Sequence, residues 1–353
     1  MIKRPEYIKK GDTIGITAPS FGASTEPYSL MFDVSLGKIK DRGYKILEGE
    51  TARKGDGLGI STDPKVCAKE LVKFYKNSDC QAIISAGGGE LMCETVSNID
   101  FEELKAYKPK WFMGYSDNTN FVFPLVTITG VQGIYGPCIS NFSKIWETPE
   151  EDAFAILEGT KSSFEGYDQF VDPVNDVKVT DYTNYSFEKK YRYDTPKVLS
   201  SFTPSNGVLV KASEDQEVAF NGVLLGGCLD ILVNIAGTRF DNMKEFNAQN
   251  KDVVWVIECC ELNPMAIRRS MWCLKEAGWF DSAKGFVIGR PELAYHQNFM
   301  GVDRINAVTD PLKELGVPVI MDADIGHIDP MLPVIMGADA RVSALGNRFR
   351  IEY

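Results

Sequence analysis

The chain predicts an α/β protein of two domains, and three observations predict it. Short apolar runs alternate with stretches of helical spacing along most of the sequence; the runs end in small-residue or glycine loops; and 353 residues exceed what one ordinary core organises. The expected order is an N-terminal domain over residues 1–165 built on a mostly parallel sheet, then an aromatic-rich connecting segment or lid over 166–206. A C-terminal domain of mixed α/β structure is expected over 207–353.

Taken in order, Asp12–Pro19 reads as a buried strand and Glu26–Arg42 as a helix, with Leu30, Phe32, Val34, Leu36 and Ile39 among polar residues. Tyr44–Leu47 is a second strand, Val66–Asn77 an amphipathic helix, and Gln81–Ser85 a strand that ends in Ala86-Gly87-Gly88-Gly89. Trp111-Phe112-Met113 reads as the end of a buried strand, followed by a helix through Asn120–Thr129, a strand Ile134–Ile139 and a helix Glu150–Leu157. Ligands of such sheets gather at the carboxyl ends of the strands, which here are the loops Ala18–Ala23, Ala86–Glu90 and Gly114–Asp117.

The second half resumes with a strand at Gly222–Leu225 and a helix from Cys228 to about Ala236. Asp252–Ile257 is an almost unbroken apolar run, as a strand buried on both faces would be, and it stops at Glu258. A helix over Pro264–Phe280 has proline near its start. Strands at Gly285–Ile288 and Val317–Met321 flank a helix Asp303–Leu315, and Val334–Tyr353 reads as closing strands.

Composition narrows the function. The 38 basic and 49 acidic residues leave a net charge of −11, which argues against nucleic acid or an anionic membrane as partner. No stretch approaches the ~20 apolar residues of a membrane span, and no signal-peptide core follows the basic N-terminus, so a cytoplasmic location is the expectation. The eight cysteines are scattered without a C-x-x-C and read as buried free thiols; neither a disulfide frame nor a metal site is expected. No dinucleotide fingerprint or P-loop occurs, and no cofactor is expected. Only two histidines exist, His296 and His327, so imidazole chemistry must use one of them.

Trp111–Asn120 carries the first chemical signal. A strand passing through Gly114-Tyr115-Ser116 into a helix would hold the Ser116 hydroxyl on a tight turn at the strand's carboxyl end, as in a nucleophile elbow. Asn118 stands where that pattern has its second glycine. A Ser or Asp serving only as a helix cap explains the same letters. His327 lies in a short polar loop, Gly326–Pro330, whereas His296 lies in a surface-like stretch. Glu258, at the end of an apolar strand, needs a partner if buried; an exposed strand end or an ion pair to Arg268 or Arg269 is the plainer account. Ser116, Glu258 and His327 would together supply nucleophile, orienting carboxylate and general base. The Asp117 N–H and the Gly88-Gly89 loop are the candidate oxyanion donors, although the glycine run could equally bind phosphate or simply turn the chain.

The segments GDTIGITAPS, AGGGE, WFMGYSDNT, NGVLLGGCLDIL, VVWVIE and GHIDPMLPVIMGADARV, in that order, make the chain resemble the LD-carboxypeptidase family of serine peptidases. Within it they resemble the longer branch that includes the microcin C immunity peptidases. The resemblance implies an enzyme of two α/β-containing domains with its active site between them, often a homodimer. It implies Ser116 as nucleophile, His327 as base and Glu258 as the orienting carboxylate, with Glu261 the nearby competitor. Two departures bear on substrate. Glu90 follows the glycine loop where the family often has an aromatic. The 162–206 segment has no tryptophan, so only tyrosines such as Tyr191 or Tyr193 could stack on a nucleotide base there, as the immunity branch does with an aromatic. The expected substrate is a small peptide or peptide conjugate with a free carboxyl end, either a murein tetrapeptide or a peptidyl or aminoacyl nucleotide. A non-catalytic two-domain protein that binds a small molecule is the alternative.

Overall fold

The computed structural model describes residues 2–175 and 193–353. Among them, one compact unit holds residues 2–161 and 333–335, and the other holds 162–175, 193–332 and 336–353.

The first unit contains β1 (Thr13–Thr17), α1 (Tyr28–Asp41), β2 (Lys45–Glu48), α2 (Pro64–Lys76), β3 (Ala82–Ser85), α3 (Met92–Val96), α4 (Phe101–Leu104) and β4 (Trp111–Met113). It continues with α5 (Thr119–Thr127), β5 (Gly133–Tyr135) and α6 (Thr148–Glu158). Strands β1 to β5 pair in parallel, with β1 between β2 and β3, then β4 and β5 outward. Parallel strands covered by helices lose contact with water on both faces, which is why β3 and β4 are wholly buried and read as apolar runs. Asp63 caps α2 by accepting from the Lys65 N–H, and Pro64 sits at the first helical position, so the helix starts two residues before its apolar spacing shows.

One strand is shorter than its apolar letters predict. The run expected over Ile134–Ile139 ends at Tyr135. Pro137 follows, which has no N–H to give a ladder, and Ile139–Ser143 forms a 3₁₀ turn instead.

The second unit is built on β6 (Ser163–Glu165), β7 (Gln169–Phe170), β8 (Thr195–Pro196), β9 (Ser200–Ser205), β10 (Val208–Lys211), β11 (Val218–Cys228), α7 (Leu229–Ile235) and α8 (Met243–Gln249). After these come β12 (Val253–Glu258), α9 (Pro264–Glu276), β13 (Ala283–Gly289), the ribbon β14 (Asn298–Phe299) and β15 (Val302–Asp303), α10 (Arg304–Leu312) and β16 (Val319–Ala323). Three strands close the chain: β17 (Val334–Met336), β18 (Asp339–Leu345) and β19 (Arg348–Glu352). The nine-stranded mixed sheet runs β10-β9-β16-β13-β12-β11-β18-β19-β6. Its centre, β11, β12, β13 and β16, is parallel, and all six residues of β12 are buried. β17 leaves the other closing strands and joins the first unit's sheet beside β5.

Within the stretch expected to connect the units, β9 joins the large sheet and β7 pairs with β8, while β6, just before that stretch, joins the large sheet as well. Phe164 in β6 and Phe170 in β7 are buried, so these two aromatics pack as core residues do. Among the described residues no helix is long and apolar enough to cross a membrane. All eight cysteines are free; five are buried, Cys260 and Cys273 are half-buried and Cys93 is exposed, so burial holds for most but not for all of the thiols.

Candidate active site

Ser116 follows β4 directly. Tyr115 is still extended, Ser116 turns left-handed at φ 61°, and Ser116–Asn118 forms a 3₁₀ turn that runs into α5. A non-glycine residue in this region costs about 1–3 kcal/mol and persists only where its surroundings hold it. They do so at several points. The Ser116 N–H donates to the Tyr135 hydroxyl at 3.0 Å. The Asp117 carboxylate, fully buried, accepts from Ser20 Oγ, from the Met92 N–H at 2.8 Å and from Asn120 Nδ2 at 2.8 Å. The loops after β1, β3 and β4 are thereby joined behind the serine. Burial pushes the Asp117 carboxyl above its usual range, against the pull of these hydrogen bonds.

The glycine loop lies beside this turn. A Cβ placed on Gly88 would stand 3.1 Å from Ser116 Cβ and 3.3 Å from its Oγ. A side chain there would press on the hydroxyl, so glycine is what permits the approach. Glu90 is exposed at the loop's end.

In the second unit, His327 Nδ1 lies 2.8 Å from Glu258 Oε2. Glu258 is the last residue of β12 and only 1% exposed. The exposed-end account of Glu258 therefore fails, and so does the ion pair to Arg268, which binds Asp310 instead. A carboxylate at Nδ1 favours the neutral tautomer that carries its proton there and leaves Nε2 with its lone pair. Burial alone would lower the pKa of this ring, but the Glu258 carboxylate and a hydrogen bond with Cys260 outweigh it and hold it well above the ordinary histidine range. Cys260 itself stays a neutral thiol, pushed up to about 11 by burial.

Two features of the chain make the pair possible. Asp230, in the first turn of α7, accepts from the N–H groups of Cys260 at 3.1 Å and Glu261 at 3.0 Å, which fixes the turn leaving β12. Gly326, at φ 102°, has no room for a side chain: a Cβ would lie 2.3 Å from Glu258 Oε2. Gly326→Ala is therefore expected to lose the pair and to lower Tm by several degrees. The measurement is thermal unfolding together with the pH titration of His327 by NMR; an unchanged His327 titration would contradict this.

The remaining candidates lie elsewhere. Glu261 is exposed and contributes its backbone rather than its carboxylate. His296 is half exposed, and its Nε2 lies 2.6 Å from Asp172 Oδ1, away from Glu258. Tyr193 is half-buried in the second unit, and Tyr191 falls outside the described residues. Among the described residues no group of three or more His, Cys, Asp or Glu side chains could hold a metal ion. Sequence reasoning missed the Asp117 side chain, Tyr135, Asp230 and Cys260. For Asp230 there was a signal, an acidic residue in the first turn of the helix that follows Gly226-Gly227-Cys228. Tyr135 has none, because its role is a contact across two strands.

Two family models match the chain: the LD-carboxypeptidase N-terminal domain over residues 14–136 and the LD-carboxypeptidase C-terminal domain over 221–342. A probable murein peptide carboxypeptidase of Bacillus subtilis is 24% identical over 355 residues, covering 99% of this chain and 94% of that protein. The microcin C7 self-immunity protein MccF of Escherichia coli is 26% identical over 333 residues, covering 93% of this chain and 89% of that one. Among solved structures, MccF in complex with glutamyl sulfamoyl guanosine superposes with a TM-score of 0.76 at 20% identity, over 99% of this chain and 98% of that chain. That likeness is one of fold.

Proposed function

Because the chain belongs to the LD-carboxypeptidase family, we propose that it is a serine carboxypeptidase or amidase in which Ser116 works with the His327–Glu258 pair. Ser116 Oγ attacks the carbonyl beside a C-terminal residue while His327 Nε2 takes its proton. The N–H groups of Asp117 and of the Gly88-Gly89 loop receive the oxyanion. The tetrahedral adduct collapses as His327 returns the proton to the leaving amine. A water, deprotonated by His327, then hydrolyses the acyl-enzyme and restores Ser116.

The observation that carries this reading is the 2.8 Å contact between His327 and the buried Glu258. Of the two histidines in the chain, the other is half exposed and contacts Asp172. An imidazole whose tautomer is set by a buried carboxylate is what a general base for serine requires.

The proposed substrate is a small peptide or peptide conjugate with a free carboxyl end. Relatives named for murein peptides and for microcin immunity support two versions, a murein tetrapeptide and an aminoacyl or peptidyl nucleotide. The chain's length and its aromatic-rich segment favour the second. Purified protein assayed against a murein tetrapeptide and an aminoacyl sulfamoyl adenosine side by side separates them. Labelling by a fluorophosphonate probe tests the nucleophile, and a folded protein that neither labels nor turns over either compound would instead be a binding protein.

The raised pKa of His327 has a pH consequence. The base is active when neutral, so kcat/KM is expected to rise with pH through an inflection above the ordinary histidine value of about 6.5. The stability from the charged pair runs the other way. It is full below the unfolded pKa and is lost as pH rises through the folded one. Activity and Tm are thus expected to move in opposite directions as pH rises through the titration of His327. A pH–rate profile with its inflection at or below about 6 would contradict this.

A further inference from the structure

We infer that Asn118 is a positioning residue that aims the glycine loop's N–H groups at the acyl oxygen of the substrate; this rests on the reading of Ser116 as nucleophile. Asn118 stands where the common elbow pattern has glycine, and it is fully buried. Its Nδ2 donates to the Tyr115 carbonyl at 2.9 Å and to the Gly87 carbonyl at 3.0 Å. Its Oδ1 is buried with no hydrogen-bond partner. An unpaired buried amide oxygen costs roughly 1–3 kcal/mol. That cost is tolerated at a position where a glycine would avoid it, which says that the two donor arms matter. Packing agrees: a Cβ on Gly114 would lie 2.7 Å from Asn118 Cγ, so the elbow's own glycine makes room for this side chain.

The effect on the loop follows from peptide geometry. In a trans peptide the C=O and the next residue's N–H point in opposite directions. The Gly87 carbonyl is held by Asn118 Nδ2 and by Ser85 Oγ at 2.8 Å, so the Gly88 N–H is turned away from both. The Gly88 carbonyl accepts from the Phe21 N–H at 2.9 Å, which turns the Gly89 N–H away from the loop after β1. Among the described residues neither glycine N–H donates a hydrogen bond. Two unpaired donors with fixed directions, beside the Ser116 hydroxyl, form the kind of preorganised site that stabilises a tetrahedral oxyanion. Asn118 fixes the first of the two planes. Aspartate has the same shape but only acceptors, and would set a carboxylate against two carbonyl oxygens.

The test compares wild type, Asn118→Asp, Asn118→Gly and Ser116→Ala. The readouts are the fluorophosphonate labelling rate, kcat and KM on whichever of the two compounds above is turned over, and Tm. Both Asn118 variants are expected to label about 10²-fold more slowly and to lose kcat by a similar factor. KM is expected to stay within about threefold of wild type, since the oxyanion exists only in the transition state. Asn118→Gly, which suits the turn, keeps the test open if Asn118→Asp does not fold. Labelling or kcat within threefold of wild type in a folded Asn118→Gly would overturn the inference, and so would a loss carried by KM. If Ser116→Ala keeps its activity, the nucleophile assignment and this inference both fall; if only Asn118→Gly stays active, only the inference falls.

Discussion

Ser116→Ala is expected to reduce turnover by at least about 10⁴-fold and to abolish fluorophosphonate labelling, with Tm changed by no more than a few degrees. The size follows from the role: without the hydroxyl no acyl-enzyme can form, and only binding and oxyanion stabilisation remain to assist attack by water. The small effect on stability follows from the structure. Alanine keeps the Cβ, and the bonds that hold the left-handed turn come from the Ser116 backbone N–H and from the side chains of Asp117 and Asn118, not from Oγ. A variant that retains more than about a hundredth of wild-type turnover would remove Ser116 from the mechanism.

Glu258→Gln is expected to be nearly as damaging, at about 10³- to 10⁴-fold in kcat/KM, because an amide that donates to Nδ1 imposes the wrong tautomer on His327. The substitution also removes the charge that raises the pKa of His327. Whatever activity remains should therefore have its acid inflection shifted to lower pH than in wild type. The opposition between activity and Tm should fade as well, since the stability lost on deprotonation of His327 comes from that charge. The measurement is a pair of pH–rate profiles with Tm recorded at each pH. An inflection that stays in place would mean that Glu258 does not set the charge of His327, whatever the loss of rate.

These expectations trace back unequally to the sequence. The turn around Ser116 could be read directly, because a buried strand, a glycine and a helix start are local events with local letters. His327 stood out through scarcity, with two histidines in the chain and one in a surface-like stretch. The choice between Glu258 and Glu261 was harder. It depends on which of two carboxylates three residues apart stays inside when the chain leaves β12. The structure buries the first and exposes the second, and Asp230 holds the turn between them. Within 166–206, the strands among the described residues have no apolar pattern to announce them. Strands such as β9 at Ser200–Ser205 are half exposed and keep their place through pairing with β10 and β16 rather than through an apolar pattern.

By itself, the order of residues determined the alternation of strands and helices, the parallel character of the buried runs, and that Ser116 and His327 would sit on loops. These are properties of neighbours in the chain, where side-chain spacing and backbone freedom act directly. Only the folded molecule decided the partners. His327 meets a carboxylate 69 positions away, and Asn118 clasps a carbonyl 31 positions away. Asp117 joins loops from positions 20 and 92. Such contacts depend on strand order and register, which bring distant carboxyl ends together, and no local pattern of letters encodes which end will lie beside which.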